Sequence, residues 1–155
     1  MSVEEKLASL GLSLPSVPPR AVANYVGAVR VGNLLFVSGH GPQLPDGTNP
    51  YIGKVGRDLD VDKAYAAARQ VCLNCLASVK AAVGDLDKVR RVVKLLGMVN
   101  SAPDFGQQPQ VINGASDLLV QLFGENGRHA RSAVGMAALP MGIAVEIEMI
   151  LEVAD

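Results

Sequence analysis

The segment that most constrains the fold is the apolar stretch near the end of the chain, between Arg131 and Glu146. None of the fourteen residues between these two is charged, and Pro140 and Gly142 interrupt the stretch near its middle. Strand-forming runs on both sides of a Pro/Gly turn predict a β-hairpin centred near Pro140. A hairpin this apolar has to be covered by other parts of the protein or by another molecule.

Arg131 stands at the edge of this apolar surface and needs a partner for its charge, because desolvating an unpaired cation costs free energy. The partner is a carboxylate of the protein or a carboxylate of a substrate. Glu146 and Glu148 are two residues apart in a strand and therefore point to the same face. In the predicted hairpin Glu146 lies opposite Gly135 and shares a face with Arg131, about 13 Å away along the strand. That separation leaves room for a small acid and a water molecule.

The composition predicts one domain that associates with copies of itself. The chain has 155 residues, a net charge of −1, 19% charged residues and a mean hydropathy of +0.26. So little polar surface predicts a homo-oligomer, and the near-neutral charge gives no general attraction for nucleic acid or an anionic membrane. We expect a single domain over residues 1–155 with a helical extension over about residues 1–20. No uncharged run approaches the roughly 20 residues of a membrane span, and the acidic N-terminus lacks a secretory pattern, which favours the cytoplasm.

The two cysteines, Cys72 and Cys75, form a C-x-x-C inside an alanine-rich helical pattern. A zinc site needs three or four ligands, and the sequence has neither a second cysteine pair nor a histidine pair. A redox pair would stand at the start of a helix after a strand. We therefore predict two buried structural cysteines and no metal site.

The apolar periodicity and the turn signals predict a β-hairpin, a helix, a strand, a second helix and the terminal β-hairpin. Asp60 and Gly84 are residue types that begin and end helices, which places the first long helix between them. The other predicted elements are a helix at 3–10, a hairpin of strands 25–30 and 34–39, a short strand at 51–55, a strand at 87–100 and a helix at 110–123. This order predicts an α+β fold with a mixed sheet, both long helices on one face and oligomerisation covering the other.

Five short motifs follow one another along the chain after about Ala23. They are Ala23-Asn24-Tyr25, the run FVSGHGP from Phe36 to Pro42, Val111-Ile112-Asn113, His129-Ala130-Arg131-Ser132, and Leu139-Pro140 followed by VEIE from Val145 to Glu148. In this order they resemble motifs of the Rid/YjgF family of reactive intermediate deaminases, also described as endoribonucleases of the L-PSP type. His40 stands where the family commonly has glutamine, and Ala133 where it commonly has cysteine.

The resemblance implies a chorismate-mutase-like fold and a homotrimer, in which the sheets form a central barrel and the sites lie in clefts between subunits. It also implies hydrolysis of reactive 2-imino acids, such as 2-iminobutanoate or 2-iminopropanoate, to 2-keto acids and ammonia. No cofactor is needed for this reaction, because the imine is already electrophilic. Arg131 would bind the substrate carboxylate, and Glu146 would orient or activate the attacking water. The resemblance implies further substrate-binding residues, namely Tyr25, Ser38, Gly39 and Asn113.

Several alternatives stay open from the sequence alone. His40, Ala133 and the loops around residues 43–56 and 105–110 also fit a non-enzymatic binder of small carboxylic acids or an interaction protein. A chorismate-mutase-type enzyme would need several cations in one cleft, and only Arg131 can be placed there. RNA cleavage is disfavoured, because the chain lacks a basic surface interleaved with aromatic residues. Arg131 could pair with a protein carboxylate, and Asn113 could cap its helix.

Overall fold

The computed structural model describes residues 1–155, which form three α-helices and five β-strands. The helices are α1 (Val3–Ser9), α2 (Val61–Val83) and α3 (Gln108–Phe123). The strands are β1 (Ala28–Val31), β2 (Leu34–His40), β3 (Val89–Asn100), β4 (Ala130–Met136) and β5 (Val145–Val153). Short 3₁₀ turns occur at Leu86–Lys88, Gly124–Gly127 and Pro140–Gly142. These elements confirm the predicted α+β fold with a mixed sheet.

Helix α2 begins and ends where its local sequence signals predict. The Asp60 side chain accepts a hydrogen bond of 2.8 Å from the backbone N–H of Lys63, which satisfies one of the free donors of the first turn. Gly84 ends the helix with φ of 89°, a left-handed conformation that residues with a Cβ rarely adopt. The face of α2 that contacts the sheet is lined by alanine, valine, cysteine and leucine, so helix and sheet approach closely.

The sheet has the order β1-β2-β5-β3-β4. Strands β3 and β4 are parallel, whereas the other three pairings are antiparallel. Helix α3 connects β3 to β4 and supplies the long crossover that a parallel pair requires. Strand β5 lies in the centre of the sheet and buries every second residue from Val145 to Val153.

The predicted terminal hairpin is wrong, because β3 lies between β4 and β5. The turn exists, with Gly142 N–H donating to the Leu139 carbonyl at 3.0 Å, but the strands that flank it do not pair with each other. Glu146 lies opposite Met98 rather than opposite Gly135. A turn brings two strands near each other only if neither finds a better partner, and here both pair with β3.

Helices α2 and α3 cover one face of the sheet, as predicted, and together they enclose a core of 32 buried residues. The opposite face has no helix and exposes apolar side chains, which are Val29, Val31, Leu34, Phe36 and Val134. Isolated apolar residues are ordinary on a protein surface, whereas a contiguous apolar sheet face indicates a covered surface. The predicted homo-oligomer remains a prediction that this face supports.

Two smaller elements differ from the sequence predictions. The segment 51–55 forms only isolated bridges, from Ile52 to Ile143 and from Val55 to Leu59 and Ser101. Strand β1 begins at Ala28, so Tyr25 lies in the loop before it.

The short helix α1 packs through Val3 and Leu7 against the rest of the protein. No helix combines the length and the apolar character that crossing a membrane requires.

Candidate functional site

Arg131 lies on β4 and points towards α3, where three acceptors hold its guanidinium group. Nη1 donates to Asn113 Oδ1 at 2.8 Å and to Ser116 Oγ at 3.1 Å, and Nη2 donates to the Pro109 carbonyl at 3.4 Å. Pro109, Asn113 and Ser116 are spaced at i, i+4 and i+7, so they lie on one face of α3. The helix therefore holds the cation with neutral acceptors, without compensating its charge.

No carboxylate of the chain forms an ion pair with Arg131. The salt bridges of the structure join Arg30 to Asp155, Arg57 to Asp58, Lys80 to Glu4 and Arg128 to Glu125. A guanidinium has five N–H donors, and Arg131 uses three of them. The donors left without a protein acceptor are Nε–H and one N–H of Nη2, and a carboxylate can accept from two guanidinium nitrogens through its two oxygens.

Asn113 lies in the second turn of α3, and the N-cap of that helix is Gln107. The alternative that Asn113 caps the helix is therefore wrong. Its side-chain oxygen accepts from Arg131 instead. The residue thus contacts the predicted anchor and orients it, in agreement with a place at the site.

Glu146 lies in a separate cavity of about 460 Å³ on the other side of the molecule. The lining also includes Tyr25, Ser38, Gly39 and Glu148. Partial burial and, to a smaller extent, the negative charge of Glu148 raise the pKa of Glu146 above its ordinary value. A carboxylate with a raised pKa is a stronger base when it is ionised.

Gly39 is in contact with the Glu146 carboxylate, and a Cβ at this position would overlap its Oε2 atom. A residue with a Cβ at this position would therefore displace the Glu146 carboxylate from its present place. The Ser38 hydroxyl donates to the Val26 carbonyl at 2.6 Å, so only its lone pairs are free for a ligand. Tyr25 is 44% exposed and lies at the cavity's edge, with its ring accessible to a ligand.

His40 lines the same cavity but is almost fully buried. Its Nδ1–H donates to the Ser38 carbonyl, and its Nε2 accepts from the Ser78 hydroxyl of α2 at 2.7 Å. Burial lowers the pKa of this ring, an effect that the hydrogen bond to Ser38 opposes in part. The neutral ring therefore ties the end of β2 to α2 behind the cavity.

Within one chain, Arg131 and Glu146 do not share a site. Arg131 lies opposite Leu95 on β3 and faces the helices, whereas Glu146 lies opposite Met98 and faces the uncovered side. Their strands are two positions apart in the sheet, which separates the backbones by about 10 Å across it. The prediction that the two side chains share a face is wrong, because it rested on the hairpin. The predicted residues thus form two groups, Arg131 with Asn113, and Glu146 with Tyr25, Ser38 and Gly39.

Ser116 and His129 are two further residues of the Arg131 group that the sequence interpretation missed. His129 Nδ1–H donates to the Gly127 carbonyl at 2.7 Å, and His129 Nε2 lies 2.9 Å from Ser116 Oγ. Burial is the main cause that lowers the pKa of His129, and the charge of Arg131 adds to it. The available signal was the presence of Asn113 and Ser116 three residues apart on one face of the predicted helix.

The structure contains no group of three histidine, cysteine, aspartate or glutamate side chains that could hold a metal ion. Cys72 and Cys75 are free and fully buried, as predicted. Burial raises the pKa of Cys72 to about 12 and that of Cys75 well above its ordinary value, so neither is a ready nucleophile. A cleft of about 480 Å³ beside α1 is lined by apolar residues and by Glu4 and Lys80, which pair with each other.

The model of the YjgF/chorismate-mutase-like family, whose description also mentions endoribonucleases, matches residues 4–152. Among curated proteins, the chain is 47% identical over 151 residues to Protein TCP17 of Trypanosoma cruzi, covering 97% of this chain and 93% of the relative. It is 35% identical over 137 residues to the 2-iminobutanoate/2-iminopropanoate deaminase of Escherichia coli, covering 85% and 89%.

The fold also matches a crystal structure from Agrobacterium tumefaciens, that of Atu1372, a protein of unknown function. The two chains are 50% identical and superpose with a TM-score of 0.91, covering 98% of this chain and 92% of the other. The agreement extends over almost all of the chain and therefore includes the N-terminal segment with α1. The fold and the family thus have independent support, from sequence and from structure.

Proposed function

The chain belongs to the YjgF/chorismate-mutase-like family, and on that premise we propose that it hydrolyses 2-imino acids to 2-keto acids and ammonia. The observation that carries the proposal is the state of Arg131. Three neutral acceptors orient its guanidinium, two adjacent donors have no protein acceptor, and no carboxylate of the chain neutralises it. A planar carboxylate on a small substrate complements these donors in charge and in hydrogen bonding.

The proposed site combines groups of two subunits, because one chain places Arg131 and Glu146 on opposite faces of its sheet. The uncovered apolar face, with Phe36 and Val134 among its exposed residues, supports assembly of copies around it. In a homotrimer, Arg131 of one subunit would border the cavity of the next subunit that contains Glu146. Each cleft would then hold one carboxylate anchor and one base.

The chemistry assigned to these groups is simple. Arg131 binds the substrate carboxylate and fixes the orientation of the C=N bond. Glu146 takes a proton from a water molecule as the water oxygen attacks the carbon of the C=N bond. This proton passes to the nitrogen and gives a carbinolamine, whose hydroxyl proton then follows through Glu146 to the same nitrogen. The nitrogen leaves as ammonia when the C–N bond breaks and the C=O bond of the keto acid forms. The Ser38 oxygen and the Tyr25 ring line the same cavity, where they would contact the substrate.

A mixing experiment tests both the residues and their division between subunits. Arg131→Ala and Glu146→Gln proteins are each expected to lose imine hydrolysis, measured by semicarbazide trapping of imines that a PLP-dependent dehydratase generates from serine or threonine. When the two variants are unfolded together and refolded as mixed trimers, one cleft of each mixed trimer regains Arg131 from one subunit and Glu146 from another. Activity should therefore return.

Refolded samples of each single variant provide the matched control, because they contain no complete cleft. Mixed trimers that stay inactive, although wild type survives the same refolding, would contradict the division between subunits. Hydrolysis by the Arg131→Ala protein at the wild-type rate would contradict the role of Arg131 as the anchor, and absence of hydrolysis by wild type would contradict the function itself.

A non-enzymatic binder of small carboxylic acids is the second candidate, favoured by the same free donors of Arg131. Binding requires only the anchor, whereas turnover also requires Glu146. Saturable binding of pyruvate together with unchanged semicarbazide trapping would support the binder and contradict the deaminase.

A further inference from the structure

His129 is connected to Arg131 through Ser116, and the neighbours of His129 fix the direction of each hydrogen bond along this path. The Gly127 carbonyl can only accept, so the Nδ1 atom of His129 carries a proton. In the neutral ring, Nε2 then has no proton and accepts. The Ser116 hydroxyl must therefore donate its single proton to His129 Nε2, at 2.9 Å.

The direction of the Ser116 hydroxyl determines what it offers to Arg131. With its proton committed to His129, the Ser116 oxygen presents lone pairs to Arg131 Nη1, which donates to it at 3.1 Å. A hydroxyl without the His129 acceptor can rotate and place its proton towards Nη1, where it opposes the N–H of the guanidinium. The histidine thus affects the guanidinium without touching it.

We propose that Ser116 and His129 are positioning residues for Arg131. They form a hydrogen-bond relay in which Arg131 Nη1 donates to Ser116 Oγ and Ser116 Oγ donates to His129 Nε2. The proposal rests on the proposed function in that Arg131 is the carboxylate anchor. One N–H of Nη1 donates to Asn113 and the other to Ser116, so that Nε–H and the remaining Nη2–H stay available to a ligand. The hydrogen-bond relay therefore sets the affinity of the site for carboxylates.

The surroundings of the hydrogen-bond relay favour the neutral form of the His129 ring. Burial lowers the pKa of His129, the hydrogen bond to Gly127 opposes this effect, and the charge of Arg131 on β4 adds a smaller lowering. Arg128 lines the same shallow pocket and pairs with Glu125. A carboxylate bound at Arg131 would offset the charge of that residue, so binding should raise the pKa of His129.

The test compares His129→Leu, which removes the acceptor, with His129→Gln, whose amide oxygen can still accept from Ser116. Ser116→Ala is a second variant that removes a single oxygen and keeps the ring. Proton and nitrogen NMR of the protein without ligand is the first readout. Separate Nη proton signals of Arg131 are expected in wild type and His129→Gln, and averaged signals in His129→Leu and Ser116→Ala. Circular dichroism verifies that all four proteins are folded.

Pyruvate titration is the second readout, and it needs no turnover. The dissociation constant should rise about two- to tenfold in His129→Leu and Ser116→Ala, the effect of one lost hydrogen bond, and stay near wild type in His129→Gln. In wild type, pyruvate should also raise the NMR-determined pKa of His129. Arg131 signals that remain separate in both His129→Leu and Ser116→Ala would overturn the proposal.

Failure of this proposal is distinguishable from failure of the proposed function. A protein that hydrolyses no imine can still show the NMR differences among wild type and the three variants. Conversely, wild type could be an active deaminase while His129→Leu keeps the Arg131 signals and the pyruvate affinity of wild type. That result would contradict the hydrogen-bond relay and leave the proposed function intact. For an active enzyme, the hydrogen-bond relay predicts that His129→Leu raises KM and changes kcat less.

Discussion

His40 and His129 have the same local hydrogen-bond arrangement, yet they lie in different environments. Each ring donates through Nδ1 to the carbonyl two residues earlier and accepts through Nε2 from a helix serine, Ser78 in one case and Ser116 in the other. Ser78 is buried and makes no side-chain bond other than that to His40, whereas Ser116 also accepts from Arg131. At His40 the arrangement therefore connects β2 to α2 inside the core. At His129 it connects to Ser116 of α3, which also contacts the unpaired cation of Arg131.

This difference teaches that burial, rather than the motif, decides whether such a ring is mainly structural. His40 is 7% exposed, so its loss would leave buried polar atoms without partners. His129 is only partly buried, and water can replace its contacts. The three predictions below would sharpen or break this comparison.

The largest expected effect is on stability after removal of the buried ring. His40→Ala should lower the free energy of unfolding by about 2–4 kcal/mol, because it creates a cavity and leaves the Ser78 hydroxyl without an acceptor. His129→Ala, the matched control, should lower it by about 1 kcal/mol or less. Urea unfolding followed by circular dichroism measures both values. Equal losses in the two variants would break the comparison.

The two serines should differ in the same direction with smaller effects. Ser78→Ala leaves His40 Nε2 buried without a donor and should cost about 1–2 kcal/mol of unfolding free energy. Ser116→Ala should cost less than about 0.5 kcal/mol, because its partners reach solvent. The same urea titrations decide the matter, and a Ser116→Ala protein less stable than Ser78→Ala would contradict the assignment.

The smallest expected effect is a pH dependence of stability that depends mainly on His40. Burial lowers the pKa of His40 in the folded protein below its ordinary value near 6.5, so the unfolded chain binds protons first as the pH falls. The free energy of unfolding should thus be highest above about pH 6.5 and decrease as the pH falls from there to the folded-state pKa.

A comparison with His40→Gln isolates this contribution, since glutamine keeps the hydrogen bonds but does not titrate. The raised pKa of Glu146 acts with the opposite sign, because the folded protein then binds protons more readily, and it is common to both proteins. The free energy of unfolding of wild type should therefore decrease relative to that of His40→Gln as the pH falls below 6.5. A difference that is constant between pH 7.5 and pH 5.5, the range proposed for the measurement, would show that His40 has an unshifted pKa.

The elements that sequence predicts well are those that local interactions define. Helix α2 lies between Asp60 and Gly84 because a side-chain cap and a left-handed glycine act within a few residues of the helix ends. The turn at Pro140–Gly142 is local as well, and it was found at the predicted position. The buried cysteines follow from the periodicity of the same helix.

The terminal hairpin failed because strand pairing is not local. Strand β4 pairs with β3 through the crossover of α3, and β5 pairs with both β2 and β3. The order strand, helix, strand from β3 to β4 is itself typical of a parallel pair, and this signal was available in the sequence. The apolar turn sequence favours a hairpin only when it is considered without the helix that precedes β4.

The sequence by itself determined the helices, the turns, the alternation of apolar and polar residues in the first half of β5 and the position of one arginine at the edge of a long uncharged stretch. Only the tertiary structure decided that Arg131 faces α3 while Glu146 faces the uncovered side of the sheet. The physical reason is that side chains alternate across a strand, so the face of each residue depends on how its strand is aligned with distant partners. Likewise, Ser116 contacts both His129 and Arg131 only because the crossover places α3 against β4.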